Sequence, residues 1–396
     1  MTDPIRFRPW FDPADCRVDD LAALVDQATR PEDAPGAARI EHDVPIYDGA
    51  AVRAELARPG RRRALMAEWM HVLERGPGII ALRGAFADPV LLDRVSAHFC
   101  EMIEDERAGN ANVDHFGGAA GTNDRVWNAL DKLCERAPEL FADYYANDLL
   151  ALACESWLGP GYQMTSQVNC VNPGGVAQAA HRDYHLGVFK ATDAAAYPAH
   201  VHRLSTVLTL QGAVAHVDMP VESGPTLYLP HSQKYAFGYL AHERPEFQAL
   251  FDARHVQLPL AKGDAVFFNP ALLHAAGHNR TATVRRLANL LQVSSTFGRP
   301  MESVDRTRMA HQLAPVLRRR LDAGTMDEAA CARVIAAFAD GYGFPTNLDR
   351  DPPRTTLAPE SQQAMLLRAL REGWPIERVD DELDRQAWRR APAHAS

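Results

Sequence analysis

Three residues of metal-ligand type stand at intervals that would let them share one ion. His181 and Asp183 are separated by one residue, and His274 follows much further along the chain. Residues i and i+2 of a strand project to the same side, so His181 and Asp183 could bind one ion while Arg182 points away. Two imidazoles and one carboxylate leave part of an iron coordination sphere open, as in oxygen-activating non-haem enzymes. The pattern predicts a metal centre and makes an oxygenase the first function to test.

The elements that must position these residues are predicted to be short strands. Between about residues 161 and 295, runs rich in Val, Thr, Leu and Phe alternate with Gly, Pro and Asn breaks, a pattern typical of strands joined by turns. The predicted strands cover residues 163–171, 204–214, 226–229, 255–258, 265–268 and 287–294. Ligands from distant strands converge at the mouth of a barrel, so we expect a double-stranded β-helix, or jelly roll.

Helical periodicity lies on both sides of this β region. An earlier strand is predicted at residues 78–82, and the predicted helices cover 18–28, 63–74, 87–105, 137–157, 306–321, 326–338, 360–371 and 376–388. The expected fold class is mainly β with flanking helices, in which N- and C-terminal helices buttress the jelly-roll core. We expect an N-terminal extension over residues 1–75, an oxygenase-type β domain over 76–300 and a C-terminal helical extension over 301–396.

Composition and charge narrow the class of partner. Forty-two basic residues against 51 acidic ones give a formal net charge of −9, which is the wrong sign for a protein that neutralises many phosphates. The six cysteines form no Cys-x-x-Cys pair and are expected to be reduced thiols. No stretch approaches the roughly 20 apolar residues that span a bilayer, and the N-terminus lacks the apolar core of a signal peptide. We therefore expect a cytoplasmic protein with no nucleic-acid or membrane partner.

Four segments occur in an order that is informative about family. They are residues 78–84, 181–185, 222–232 and 263–285, and the last contains a Gly-Asp pair, an aromatic strand, His274, Asn279 and Arg285. In this order they resemble the phytanoyl-CoA dioxygenase family of Fe(II)- and 2-oxoglutarate-dependent oxygenases. The resemblance spans about residues 76–295 and implies Fe(II), 2-oxoglutarate and O2 as cofactors and cosubstrates.

The resemblance also implies roles for charged residues. His181, Asp183 and His274 resemble the iron ligands, and Arg285 resembles the arginine that grips the distal carboxylate of 2-oxoglutarate. A guanidinium fork suits that role because it pairs bidentately with a carboxylate. Its neighbour Arg286 is expected to point to the other strand face, toward solvent or a helix.

Two further arginines are candidates for binding the cosubstrate. Arg182 stands where the family often has Gln near 2-oxoglutarate. Arg125 aligns with a basic residue that reaches the cosubstrate, although a helix-capping or salt-bridging role fits it equally well. Ala276 replaces a small hydroxyl residue that the family often has near the distal histidine, so the surroundings of 2-oxoglutarate depart from the family pattern.

The substrate is less constrained by the sequence. The candidate substrate contacts near the barrel mouth are Tyr184, His185, Asn169, Gln167 and Gln211, each of which could instead be a packed or hydrogen-bonded strand residue. Halogenating relatives replace the carboxylate ligand with a small residue, so Asp183 favours hydroxylation over chlorination, with release of succinate and CO2. The expected substrate is a small molecule other than a CoA thioester, and the oligomeric state is left open.

Two other classes of protein remain as alternatives. One is a jelly-roll binding or sensor protein without turnover. The free-energy cost of burying charges that no metal compensates argues against it. The other is a cupin-like enzyme that uses a divalent metal without 2-oxoglutarate. Production of succinate would exclude the first, and activity that survives replacement of Arg285 by Ala would favour the second.

Overall fold

Two β-sheets form the centre of the protein in the computed structural model, which describes residues 8–109 and 121–392. The strands of the described residues are β1 (Arg39–Glu41), β2 (Val44–Asp48), β3 (Ile79–Arg83), β4 (Asn123–Val126), β5 (Gln163–Val171), β6 (Thr209–Ala215), β7 (Leu227–Tyr228), β8 (Val256–Gln257), β9 (Ala265–Phe268), β10 (His274–Ala275) and β11 (Arg286–Ser294). The larger sheet has eight strands in the order β1-β2-β3-β9-β6-β11-β5-β4, and the smaller has three in the order β10-β7-β8.

Helices precede, interrupt and follow these strands. In the described residues they are α1 (Val18–Val25), α2 (Gly49–Leu56), α3 (Arg61–Glu74), α4 (Pro89–Ala108), α5 (Ala129–Arg136), α6 (Pro138–Tyr145), α7 (Asp148–Leu158), α8 (Ala191–Ala194), α9 (Ala199–Ser205), α10 (Gly238–Ala241), α11 (Pro245–Arg254), α12 (Arg306–Asp322), α13 (Glu328–Phe338), α14 (Gln362–Arg371) and α15 (Ile376–Arg390). None of these helices is long and apolar enough to cross a membrane.

The two faces of the larger sheet have different neighbours. Side chains alternate between faces along a strand, and on β11 Leu287 and Val293 join the main hydrophobic cluster with residues of the helices. The intervening Ala288, Leu290 and Gln292 line a cavity on the other face. Phe268 packs with smaller-sheet residues on that same face. Helices therefore cover one face and the smaller sheet covers the other.

The C-terminal helices belong to the helical layer. Helix α12 packs against α5 and α6, and α13 packs against β5 and α7. Their buried side chains, including Leu313 and Phe338, share one cluster with Trp69 of α3 and Phe99 of α4. The double-stranded β-helix core with helical buttressing is thus confirmed, although helices contain more residues than strands.

Several predicted boundaries hold, and others fail for local reasons. Strands β5 and β9 have the predicted limits. The predicted strand 204–214 is wrong at its start, because Leu204 belongs to α9 and the strand begins at Thr209. The predicted helix 137–157 is two helices, because the Asn147 side chain accepts the backbone N–H groups of Leu149 and Leu150 and begins α7 there.

Candidate metal centre

A backbone bridge holds His181 and His274 side by side. The His181 N–H donates to the carbonyl oxygen of His274 over 3.0 Å, and the His274 N–H donates to that of His181 over 3.2 Å. Residues paired in this antiparallel manner direct their side chains to the same side. Their ring centroids lie 4.5 Å apart. The smaller sheet therefore brings together two histidines that are far apart in the sequence.

Asp183 completes a cluster of three potential ligands. Its Oδ1 lies 3.6 Å from His181 Nε2, and its Oδ2 lies 3.2 Å from His274 Nε2. One ligand atom from each residue can be chosen so that all lie within 4.8 Å of one another. The three predicted ligands are thus adjacent, and their donor set fits a divalent ion such as Fe(II).

The histidine tautomers also suit metal binding. His181 Nδ1 lies 2.9 Å from the carbonyl oxygen of Ala179, and His274 Nδ1 lies 2.8 Å from that of Leu272. A carbonyl can only accept, so each Nδ1 carries a proton, which leaves Nε2 as the nitrogen that an ion would take in place of a second proton. Both Nε2 atoms face the Asp183 carboxylate, which is where an ion would be shared.

The surroundings favour the ionisation states that bind metal. Burial would by itself raise the pKa of Asp183, but the hydrogen bond and charge of His274, the charge of His181 and the Gln211 amide outweigh burial and hold that pKa well below its ordinary value. Burial, followed by the proximity of His274, lowers the pKa of His181. A carboxylate and a neutral imidazole are the forms that donate to a metal.

The cluster forms part of the wall of a cavity between the two sheets. The cavity volume is about 530 Å³, within the range of small-molecule sites. Residues of β5, β6, β9 and β11 line it from the larger sheet, and His274 and Tyr228 line it from the smaller. Its apolar lining includes Met219, Leu260 and Phe268.

Of the two adjacent arginines on β11 and just before it, Arg286 and not Arg285 lines this cavity, which corrects the prediction from sequence. Arg285 is exposed, and its Nε donates to Asn172 Oδ1 over 3.1 Å. Arg286 is only 6% exposed and lines the cavity. It is the first residue of β11 and pairs with Val171, so its side chain shares the inward face with Ala288. The expectation that Arg286 faces solvent or a helix is therefore also wrong.

Arg286 is a buried cation without a carboxylate neighbour. Within residues 8–109 and 121–392, no Asp or Glu forms an ion pair with it. Burial lowers its pKa to about 10, against a smaller opposing influence of Tyr228. An uncompensated buried charge is costly, and its place in the lining of the same cavity as the cluster suits it to an anionic ligand there.

Arg182 does not line the cavity, contrary to its assignment as a cosubstrate contact. It is 1% exposed, and its Nη2 donates to the carbonyl oxygens of Ser232 and Tyr235 over 2.6 and 3.1 Å. Its guanidinium lies 5.2 Å from the ring centroid of Tyr239. The physical reason is alternation, since Arg182 stands between two ligands and projects to the opposite side.

Tyr184 and His185 are also absent from the cavity lining, so their prediction as substrate contacts is not supported by their positions. The chain turns immediately after Asp183, with φ values of 64° and 43° at these two residues. Positive φ is uncommon for residues other than Gly. The turn directs Tyr184 into the interior, where it is 5% exposed.

The other predicted contacts do line the cavity. Arg125 Nη1 donates to Gln167 Oε1 over 2.6 Å, and Asn169 lies beside them. Gln211 Nε2 donates to Asp183 Oδ2 over 2.5 Å. Sequence reasoning missed the lining residues Trp127, Tyr228, Met301, Gln292 and Arg286. The alternation on β11 gave no clear signal for Arg286, because amides occur on both faces, with Gln292 on one and Asn289 on the other.

Solved structures similar to this chain include two non-haem enzymes and the protein HygX. The α-ketoglutarate-dependent epimerase SnoN from nogalamycin biosynthesis is 21% identical, with a TM-score of 0.40 over 60% of this chain and 84% of that chain. The carbocyclase SnoK from the same biosynthesis is 19% identical, with a TM-score of 0.41 over 56% and 81%. HygX from Streptomyces hygroscopicus, with nickel, 2-oxoglutarate and hygromycin B bound, is 16% identical, with a TM-score of 0.37 over 56% and 84%.

A match to a family model carries more weight than these structural similarities. No match was found among the curated proteins. The family model described as phytanoyl-CoA dioxygenase (PhyH) matches residues 74–287, which is more than half of the 396 residues and includes all three cluster residues. The chain therefore belongs to the phytanoyl-CoA dioxygenase family.

Proposed function

We propose that this protein is an Fe(II)- and 2-oxoglutarate-dependent dioxygenase that hydroxylates a C–H bond of a small molecule and releases succinate and CO2. One observation carries the proposal. The same cavity contains two histidines and an aspartate arranged for a metal, and a buried guanidinium with no carboxylate partner in the described residues. Family membership supports the general class, and the site supports the assignment of residues.

Each group in the cavity has a distinct task in this proposal. His181, Asp183 and His274 would hold the ion. When bound, iron together with 2-oxoglutarate and O2 supplies the oxidising chemistry that side chains lack. Arg286 orients the cosubstrate by pairing with its distal carboxylate. The apolar wall around Phe268 excludes water from the reacting centre.

The lining supports a small substrate other than a CoA thioester. Among the described residues that line the cavity, the cationic side chains are Arg125 and Arg286, and Arg286 is assigned to 2-oxoglutarate. CoA carries several phosphate charges and needs a basic groove, whereas this lining combines amides with apolar groups. Asp183 favours hydroxylation over chlorination because it occupies the position that a halide would need.

The terminal regions are proposed to stabilise the oxygenase domain rather than to form independent units. We divide the chain into an extension over 1–75, the oxygenase domain over 76–300 and a helical extension over 301–396. Support comes from the packing of α12 against α5 and α6 and from the shared hydrophobic cluster.

Succinate formation tests the proposed activity. The protein is loaded with Fe(II) without oxygen, mixed with 2-oxoglutarate and exposed to O2, while metabolites are screened for faster succinate release. We expect a stimulating substrate whose product gains one oxygen atom. Asp183→Ala should abolish release, whereas Asp193→Ala, at an exposed position in α8, should not.

Two results would contradict the proposal. Absence of succinate from iron-loaded protein across the screen would indicate a binding protein. Substrate conversion without consumption of 2-oxoglutarate would indicate a cupin-like metalloenzyme.

A further inference from the structure

We infer that Gln211 is a positioning residue for the metal ligand Asp183. This inference rests on the metal centre proposed above. Gln211 is 8% exposed, and its Nε2 donates to Asp183 Oδ2 over 2.5 Å. The bond joins an amide on the larger sheet to a carboxylate on the opposite wall of the cavity.

The two partners differ in how firmly the backbone holds them. Gln211 lies within β6 and is paired on both sides, with Phe268 of β9 and Gln292 of β11. Asp183 lies outside the named strands, and its N–H donates to the carbonyl oxygen of Pro270 over 3.1 Å. The next residue, Tyr184, already has a positive φ. Asp183 lies at the start of a turn, so a hydrogen bond from a central strand helps to fix the orientation of its carboxylate.

The direction of the amide follows from electrostatics. An amide oxygen would repel the carboxylate, so the NH2 group must face Asp183. This leaves Gln211 Oε1 buried with no hydrogen-bond partner among the described residues. A buried polar atom without a partner carries a free-energy cost. A role in orienting Asp183 explains why Gln211 is buried here although one of its polar atoms has no partner.

The bond has a consequence for how Asp183 binds an ion. An oxygen that accepts a short, charge-assisted hydrogen bond has less electron density and fewer lone pairs for a metal. Gln211 would therefore hold Asp183 with Oδ1 as the oxygen more available to an ion.

Metal affinity is the direct test, because it requires no substrate. Mn(II) serves as an unreactive substitute for Fe(II), and its free concentration is followed by electron paramagnetic resonance. Gln211→Met keeps the side-chain length but removes the donor, and Gln211→Asn keeps the amide but is one methylene too short. Gln27→Met is the control for the substitution itself, since Gln27 is exposed and does not line the cavity.

We expect both Gln211 variants to raise the Kd for Mn(II) about tenfold or more, as is common when a residue that orients a ligand is lost. The control should stay within twofold, and all variants should unfold at similar temperatures in EDTA. Unchanged Mn(II) affinity in the Gln211 variants, with normal binding by the parent, would overturn this inference alone. A parent that binds no Mn(II) would overturn the metal centre and the inference together.

Discussion

Replacement of Arg286 by Met should have opposite effects on cosubstrate binding and on the stability of the free protein. In the proposed complex, Arg286 pairs with the distal carboxylate of 2-oxoglutarate inside the cavity. Removing one partner of a buried pair costs roughly 3–5 kcal/mol. At about 1.4 kcal/mol per factor of ten, the Kd for 2-oxoglutarate should rise roughly a hundredfold to a few thousandfold.

Without cosubstrate, the buried guanidinium of Arg286 destabilises the folded state. Burial lowers its pKa from 12.5 to about 10, which corresponds to roughly 3 kcal/mol against the charged form. Met has a similar length and needs no partner. The free energy of unfolding of ligand-free Arg286→Met should therefore rise, by up to about 3 kcal/mol.

Calorimetric titration with 2-oxoglutarate, under anaerobic conditions with Mn(II) present, measures the first effect, and urea unfolding measures the second. Arg285→Met is the matched control, because Arg285 is the adjacent arginine, is exposed and binds Asn172. It should leave the Kd within twofold. If Arg285→Met weakens binding a hundredfold while Arg286→Met does not, the assignment of Arg286 to the cosubstrate is refuted.

Three further predictions concern buried residues. Arg182→Met should lower the free energy of unfolding by about 1–3 kcal/mol, because it removes the hydrogen bonds that Arg182 donates to the carbonyl oxygens of Ser232 and Tyr235. A fully stable variant with a raised KM for 2-oxoglutarate would contradict this role. Gly238→Ala should destabilise by roughly 1–3 kcal/mol, since the added Cβ would lie 1.8 Å from Arg182 Cζ, and an unchanged melting temperature would show that Arg182 moves freely. Burial lowers the pKa of His216 from 6.5 to about 3, so its stabilising contribution is complete above pH 6.5 and is lost on acidification. Between pH 7 and pH 5 the parent should lose about 2 kcal/mol more than His216→Gln in urea unfolding, and equal losses would refute the assignment.

The strands whose limits the sequence predicted best are bounded by turn residues. Strands β5 and β9 had the observed limits, and β11 was one residue longer than predicted. The two-residue strand β10 was not predicted, because so short a segment has no periodicity. Strand β4 was not predicted either, because its sequence Asn-Asp-Arg-Val is mostly polar. It lies at the edge of the larger sheet.

The prediction that Arg285 binds the cosubstrate shows why spacing along the sequence is not enough to assign a strand residue to a site. Arg285 was chosen by its distance from His274, and a shift of one residue moves a strand side chain to the other face. Both faces of β11 carry leucine, with Leu287 toward the helices and Leu290 toward the cavity. Hydrophobicity along the strand therefore could not show which face was inward.

The sequence by itself determined the family, the double-stranded β-helix and the identity of the three potential metal ligands, because ordered motifs and residue chemistry suffice for these. Tertiary structure alone decided which neighbouring groups lie at the site. Arg286 reaches the cavity through the register of β11 with β5, and Gln211 reaches Asp183 across the space between two sheets. Such contacts depend on sheet register and on distances between distant segments, and neither is encoded in local spacing.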